Sequence, residues 1–187
     1  MAPFERFAQR PQAGCKHADR RFVPDPYRFH GFASLYWVEA EPWASMTTIN
    51  EIRDNFELLD EWDDRYRYVI ELGRTLEPMP EAEHSAENKV NGCVSQVWLQ
   101  KLIDRSHGAP ILKYRGDSDA HIVRGLVAIV LALYSGRTPQ EILNTDAIAV
   151  FNEFGFRDHL TPQRSNGLRS MVERIKTDAK EALAEAS

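Results

Sequence analysis

From Thr47 onward the apolar positions of this chain fall into a helical rhythm. Ile49, Ile52, Phe56 and Leu59 recur along one face, and Thr48 with Glu51 forms a capping box in front of them. That pattern predicts a first helix. Trp62, Tyr66, Val69 and Ile70 share a face of a second, which Asp60 can cap and Gly73 can end, so the two would pack as a hairpin. Pro78 and Pro80 then carry the chain as a loop through Asn88. Residues 89–90, 94–102 and 111–114 are rich in β-branched and alternating apolar positions and predict three strands, with residues 105–108 turning between the last two. The simplest pairing is a small antiparallel meander.

Residues 120–134 are apolar on nearly every side, with Ile122, Val123, Leu126, Val127, Ile129, Val130, Leu131 and Leu133, so this helix must be central. Asp119 stands where it would cap it. Thr138-Pro139-Gln140-Glu141 opens another helix by capping box and first-turn proline, and Asp146 can cap a short one that Gly155 stops. Thr161-Pro162 precedes a last helix whose buried stripe is Leu168, Met171, Val172, Ile175 and Leu183. Helices before and after a compact meander predict an α+β domain: a three-stranded antiparallel sheet with helices packed on one face.

Residues 1–45 break this order. Pro3, Pro11, Pro24, Pro26 and Pro42 interrupt any period, yet the stretch is crowded with aromatic residues from Phe4 to Trp43. It carries neither the apolar run of a signal peptide nor the acid-poor composition of a transit peptide. The expected division is an irregular extension over residues 1–45 and a folded domain over 46–187, with Met46 a candidate initiator that would make the extension a mis-assigned start. Deleting residues 1–45 is expected to leave the domain stable.

Length narrows the rest. The chain has 187 residues, which suits one domain with an appended segment. Its formal net charge of -5 disfavours general nucleic-acid binding, which needs clustered cations facing phosphates. The most apolar stretch, residues 126–134, is too short to span a bilayer. Two cysteines, Cys15 and Cys93, make a poor disulfide framework and fit a reducing compartment, the cytoplasm.

Cys93 is the residue with chemistry. It lies in Asn88-Lys89-Val90-Asn91-Gly92-Cys93-Val94-Ser95-Gln96-Val97-Trp98, where Gly92 frees the backbone for a bend and the segment after it can hold that bend rigidly. A lone cysteine is commonly a small buried hydrophobe. Here the bend favours exposure, and Lys89 stands near enough in sequence to favour a thiolate. None of His17, His30, His84, His107, His121 and His159 sits in a cysteine-protease signature, so proteolysis is disfavoured. One thiol cannot hold a zinc ion or an iron-sulfur cluster alone, and Cys15 with His17 reads as incidental. What one thiol can do unaided is accept a sulfane sulfur, hold it as a persulfide and pass it on.

The cysteine run resembles the SufE family, the sulfur-accepting partners of cysteine desulfurases in iron-sulfur cluster assembly. The likeness extends over about residues 48 to 180. It includes Trp62-Asp63-Asp64-Arg65-Tyr66 through Ile70-Glu71-Leu72-Gly73, then Gly116-Asp117-Ser118-Asp119-Ala120 with Ile122-Val123 and Gly125-Leu126, and Leu160-Thr161-Pro162 with Arg164 and Gly167-Leu168. His121 stands where a small residue is expected, and the turn through Ser106 and Gly108 is long for the pattern. The resemblance implies a SufE/IscU-like fold, with Cys93 as acceptor of sulfur from the persulfide of a SufS-like desulfurase and a downstream iron-sulfur scaffold as recipient. The pyridoxal phosphate belongs to the desulfurase, so this chain would need no cofactor of its own. The implied supporting residues are Gly92 and Gln96 at the loop, Asp119 beside the desulfurase-facing loop, and Arg164 near the cysteine. The resting thiol would be sheltered by apolar neighbours such as Val90, Val94 and Val97. The oligomeric state is left open, a homodimer included. The competing reading is a binding module that activates a desulfurase without covalent chemistry, Cys93 being structural.

Overall fold

The computed structural model describes residues 47–106 and 108–185, and the extension over residues 1–45, Cys15 and His17 included, lies outside them. Thr48 caps α1 (Ile49–Glu57) as its sequence predicts: its Oγ1 accepts from Glu51 N, and the Glu51 carboxylate accepts from Thr48 N at 2.7 Å. Such a box is worth roughly 1 kcal/mol. Helix α2 (Trp62–Thr75) starts at Glu61 rather than at Asp60, with no side-chain cap. It also runs on through Gly73. That glycine serves helix packing instead of termination, because a Cβ there would sit 2.7 Å from the backbone nitrogen of Gly125.

Gly125 belongs to α3 (His121–Tyr134), the central helix that the all-round apolar pattern predicts. Leu126, Val127, Ile129, Val130, Leu131 and Tyr134 are all almost completely buried. Burial of each side chain contributes roughly 1.5–3 kcal/mol against an exposed reference, which makes α3 the element the rest is built around. One side of it meets α2 and another meets the sheet.

That sheet has two strands, β1 (Val97–Asp104) and β2 (Ile111–Ser118), antiparallel with Val97 opposite Ser118 and Asp104 opposite Ile111. The three-stranded meander is therefore corrected. Residues 89–90 reach β1 only through a bridge at Lys89 and Trp98, with Val90 N donating to Val97 O at 2.9 Å. Two residues between a loop and a bend cannot extend a ladder. Residues 94–96, predicted as strand, form that bend, and Val94 is 81% exposed. Val97, Leu99, Leu112, Tyr114 and Gly116 turn to the helices; a Cβ on Gly116 would strike Val127 Cγ1 at 2.6 Å.

Beyond α3, Thr138 closes a second capping box on α4 (Pro139–Asn144), and Asp146 Oδ1 accepts from Ile148 N and Ala149 N at the start of α5 (Ala147–Glu153). Gly155, at φ 77°, ends α5 and opens a short α6 (Phe156–His159) that the periodicity did not predict. Phe154 stacks on Phe56 at 4.4 Å, and Phe156 stands edge-on to Phe56 at 5.9 Å. The chain then enters α7 (Pro162–Glu185), which carries Gly167, Leu168, Met171 and Ile175 into the core. The result is an α+β architecture with seven α-helices among the described residues.

Candidate functional site

Residues 91–96 are a loop held at both ends. At its front, Val90 is tied to Val97, and Leu99 N donates to Asn88 O at 2.7 Å. At its rear, Gln96 N donates to Asp119 Oδ1 at 3.0 Å, Asp119 N donates back to Gln96 O, and Ser118 Oγ donates to the same carbonyl at 2.8 Å. Asp119 is therefore not the cap of α3, whose N-cap is Ala120 without a side-chain bond. Its carboxylate secures the far end of the cysteine loop instead. Gln96 contributes its backbone to this clasp while its side chain faces solvent.

Between the two anchors Gly92 takes φ 91°, a conformation that costs an L side chain dearly. The turn brings the loop down on α7: a Cβ on Gly92 would lie 2.7 Å from Ser170 Oγ. One residue on, the half-buried Cys93 thiol points inward, and its Sγ donates to Gly167 O at 3.5 Å. A cavity of about 30 Å³ opens beside the sulfur. Its walls include Val123, Leu126, Leu168 and Met171, with Ser95 and Arg164 also lining it.

Burial pushes the Cys93 thiol above its ordinary pKa, and no cation offsets the effect. The expected help from Lys89 is absent, since that side chain is exposed and its backbone pairs with Trp98. In this conformation the Cys93 thiol is sheltered and holds its proton more tightly than a free thiol. Val90 and Val97 are buried, whereas Val94 lines the cavity while projecting largely into solvent, so the shelter comes from α3 and α7 more than from the loop's own valines.

Arg164 reaches the same cavity from the first turns of α7, its amide 3.5 Å from Thr161 Oγ1. Thus the fold brings Gly92, Arg164 and Cys93 together, and sets Gln96 and Asp119 behind them. Sequence reasoning assigned no role at the thiol site to Gly167, Ser118, Leu126 or Met171. A glycine inside an otherwise continuous helical pattern was the available signal for Gly167.

On the opposite face of the sheet, Trp98 is covered by His84, whose ring stacks on it at 4.2 Å. His84 Nε2 lies 3.3 Å from Asp117 Oδ2, and Arg124 Nε lies 3.3 Å from Asp117 Oδ1. The Arg124 guanidinium also donates to Leu76 O. This network ties the loop through residues 77–88 to α3 and keeps β1 fixed beneath the cysteine loop.

The fold and the site together describe an α+β protein whose one cysteine among the described residues sits half-buried on a doubly anchored loop against a neighbouring helix. The chain belongs to the SufE family, described as an Fe-S metabolism associated domain, which it matches over residues 50–179. It is 55% identical over 134 residues to an uncharacterized SufE-like protein of Rhizobium meliloti, covering 72% of this chain and 96% of that one. A second uncharacterized SufE-like protein, from Rhizobium etli, is 54% identical over 135 residues, covering 72% and 91% of the two chains. The fold is similar to the solution structure of a hypothetical protein from Thermus thermophilus, with a TM-score of 0.58 at 17% identity over 73% of this chain and 96% of that one. Among the described residues no helix is long and apolar enough to cross a membrane.

Proposed function

We propose that this chain accepts sulfur on Cys93 from a pyridoxal-phosphate-dependent cysteine desulfurase and delivers it to an iron-sulfur scaffold. The observation that carries the reading is the apolar cavity beside Cys93 Sγ on a short loop that is anchored at both ends. Membership of the family supports the desulfurase as donor.

Transfer begins when the loop leaves α7 and the thiol gives its proton to solvent. Cys93 thiolate then attacks the terminal sulfur of the donor persulfide. The donor's S–S bond breaks, its cysteine leaves as thiolate, and a Cys93 persulfide forms; no electrons are gained or lost overall. Gly92 permits the turn, Asp119 and the backbone of Gln96 fix the hinge behind it, and Arg164 lines the cavity to which the persulfide returns. Closure protects the product, since an exposed persulfide is lost to solution thiols and oxidants. A reducing compartment such as the cytoplasm keeps Cys93 available.

Incubation with a desulfurase and cysteine, followed by mass spectrometry, should show one added sulfur on the peptide containing Cys93. Cys93→Ser should fold and show none, because a hydroxyl of nearly the same shape forms no persulfide. The raised pKa of the resting thiol also suits the alternative of a non-covalent activator. Full stimulation of desulfurase turnover by Cys93→Ser in the presence of reductant would favour that alternative and sink the carrier.

A further inference from the structure

Asp178 is a buried carboxylate that the thiol chemistry does not use. It lies on α7 and is only 4% exposed, and two cations reach it: Arg174 Nε donates to Oδ1 at 3.3 Å, and Lys101 Nζ of β1 stands 3.4 Å from the same oxygen. Paired in this way, a buried charge is tolerable. The two cations then act in different directions. Lys101 joins α7 to the sheet and also pairs with Glu181 at 3.2 Å. Arg174 reaches the other way, and its Nη1 donates to Glu87 O at 3.3 Å.

Glu87 O belongs to the peptide that enters Asn88, the front anchor of the cysteine loop. The Asn88 carbonyl accepts from Leu99 N, and its side-chain amide donates to Glu83 O at 2.8 Å. One face of α7 follows this limb and the loop after it. Gly167 O accepts from the Cys93 thiol, Ser170 Oγ closes on Gly92, and Arg174 holds Glu87, at helical spacings of three and four residues. The third contact differs in kind, because a charged side chain grips the limb that precedes the loop. A guanidinium suits that grip: its planar fork binds a carboxylate through one nitrogen and a carbonyl through another. An ammonium offers a single nitrogen and cannot reproduce the fork.

We propose that Arg174 is a positioning residue for Cys93: oriented by Asp178, it pins the front limb of the cysteine loop to α7 and so sets how often the thiol leaves its contact with Gly167. The consequence for sulfur transfer rests on Cys93 being the sulfur carrier, whereas the effect on thiol access does not. With the pin removed, the limb is held by the sheet alone and the loop opens more often.

Iodoacetamide alkylation of the full-length protein, read by mass spectrometry on the peptide containing Cys93, tests the pin without a partner. Arg174→Lys keeps a positive charge beside Asp178 and should melt close to the wild type, yet its Cys93 should alkylate about threefold faster. Arg174→Met should show the same raised rate with a lower melting temperature, since Asp178 has lost one of its cations. Lys101→Met removes the other cation and leaves Glu87 held, so it should lower the melting temperature while Cys93 alkylates at the wild-type rate.

Alkylation of Arg174→Lys at the wild-type rate would overturn the pin. So would faster alkylation of Lys101→Met in step with its lost stability, because thiol access would then follow the packing of α7 as a whole. A desulfurase that adds no sulfur to wild-type Cys93, with the Arg174→Lys response intact, would overturn the carrier and leave Arg174 in its role.

Discussion

Two glycine contacts in this molecule look alike on paper and differ in kind. At the crossing of α2 and α3, Gly73 and Gly125 bring backbone onto backbone, and a Cβ on Gly125 would fall inside contact distance of the Val69 carbonyl. At the thiol site, Gly92 and Gly167 bring a loop onto α7 through Ser170 Oγ and Cys93 Sγ. The first pair joins two long helices that cannot separate without unfolding. The second joins a helix to a few residues with anchors on either side. Glycine makes close approach affordable in both, but only the second approach can be released while the core stays packed.

The largest effect that would test this contrast is at the crossing. Gly125→Ala should destabilise by about 3 kcal/mol, because neither helix can retreat without disturbing a closely packed core. Chemical denaturation would measure it. A loss below about 1 kcal/mol would mean that the α2–α3 crossing is as yielding as the loop.

A smaller effect is expected at the rear anchor. Asp119→Ala removes the acceptor for Gln96 N–H and should cost roughly 1 kcal/mol. Its more telling consequence is kinetic: iodoacetamide should alkylate Cys93 severalfold faster, since a loop with a loosened hinge visits the open state more often. An unchanged alkylation rate would show that the front anchor and the α7 contact suffice.

The smallest effect concerns pH. Because burial raises the Cys93 pKa in the closed form, the folded protein holds the proton more tightly than the unfolded chain. That contribution to stability is complete below the pKa of a free thiol and is lost as pH rises through the folded value. Alkylation of the native protein should therefore continue to accelerate at alkaline pH after the denatured protein has levelled off. Coincident pH–rate profiles would mean that alkylation samples only an open, solvated thiol.

The helices were legible because their signals are local. Thr48 with Glu51, Thr138 with Glu141, and Asp146 each satisfy backbone donors within their own first turn, and the buried face of α3 follows from its composition alone. The same local rules misread Asp119, since a carboxylate before a helix has a second use when a loop amide arrives from across the sheet. They misread residues 94–96 as strand because β-branched character records compatibility with a sheet and not the presence of a neighbour. Cys93 was visible as the candidate thiol. Its seat was not, because Gly167 lies 74 residues away in sequence and its contribution is the absence of atoms.

The loop's anchors also set a length. Between Val90, tied to Val97, and Gln96, tied to Asp119, Cys93 stands three residues from either fixed point. A fully extended chain gains at most about 3.3–3.6 Å per residue, so the Cys93 backbone can stray only about 10 Å from each tether. A sulfur donor whose persulfide lies at the bottom of a deep channel is out of range. On the proposed function, the longer journey falls to the donor: it must bring its sulfur on a mobile segment of its own or accept the rim of this molecule into its mouth.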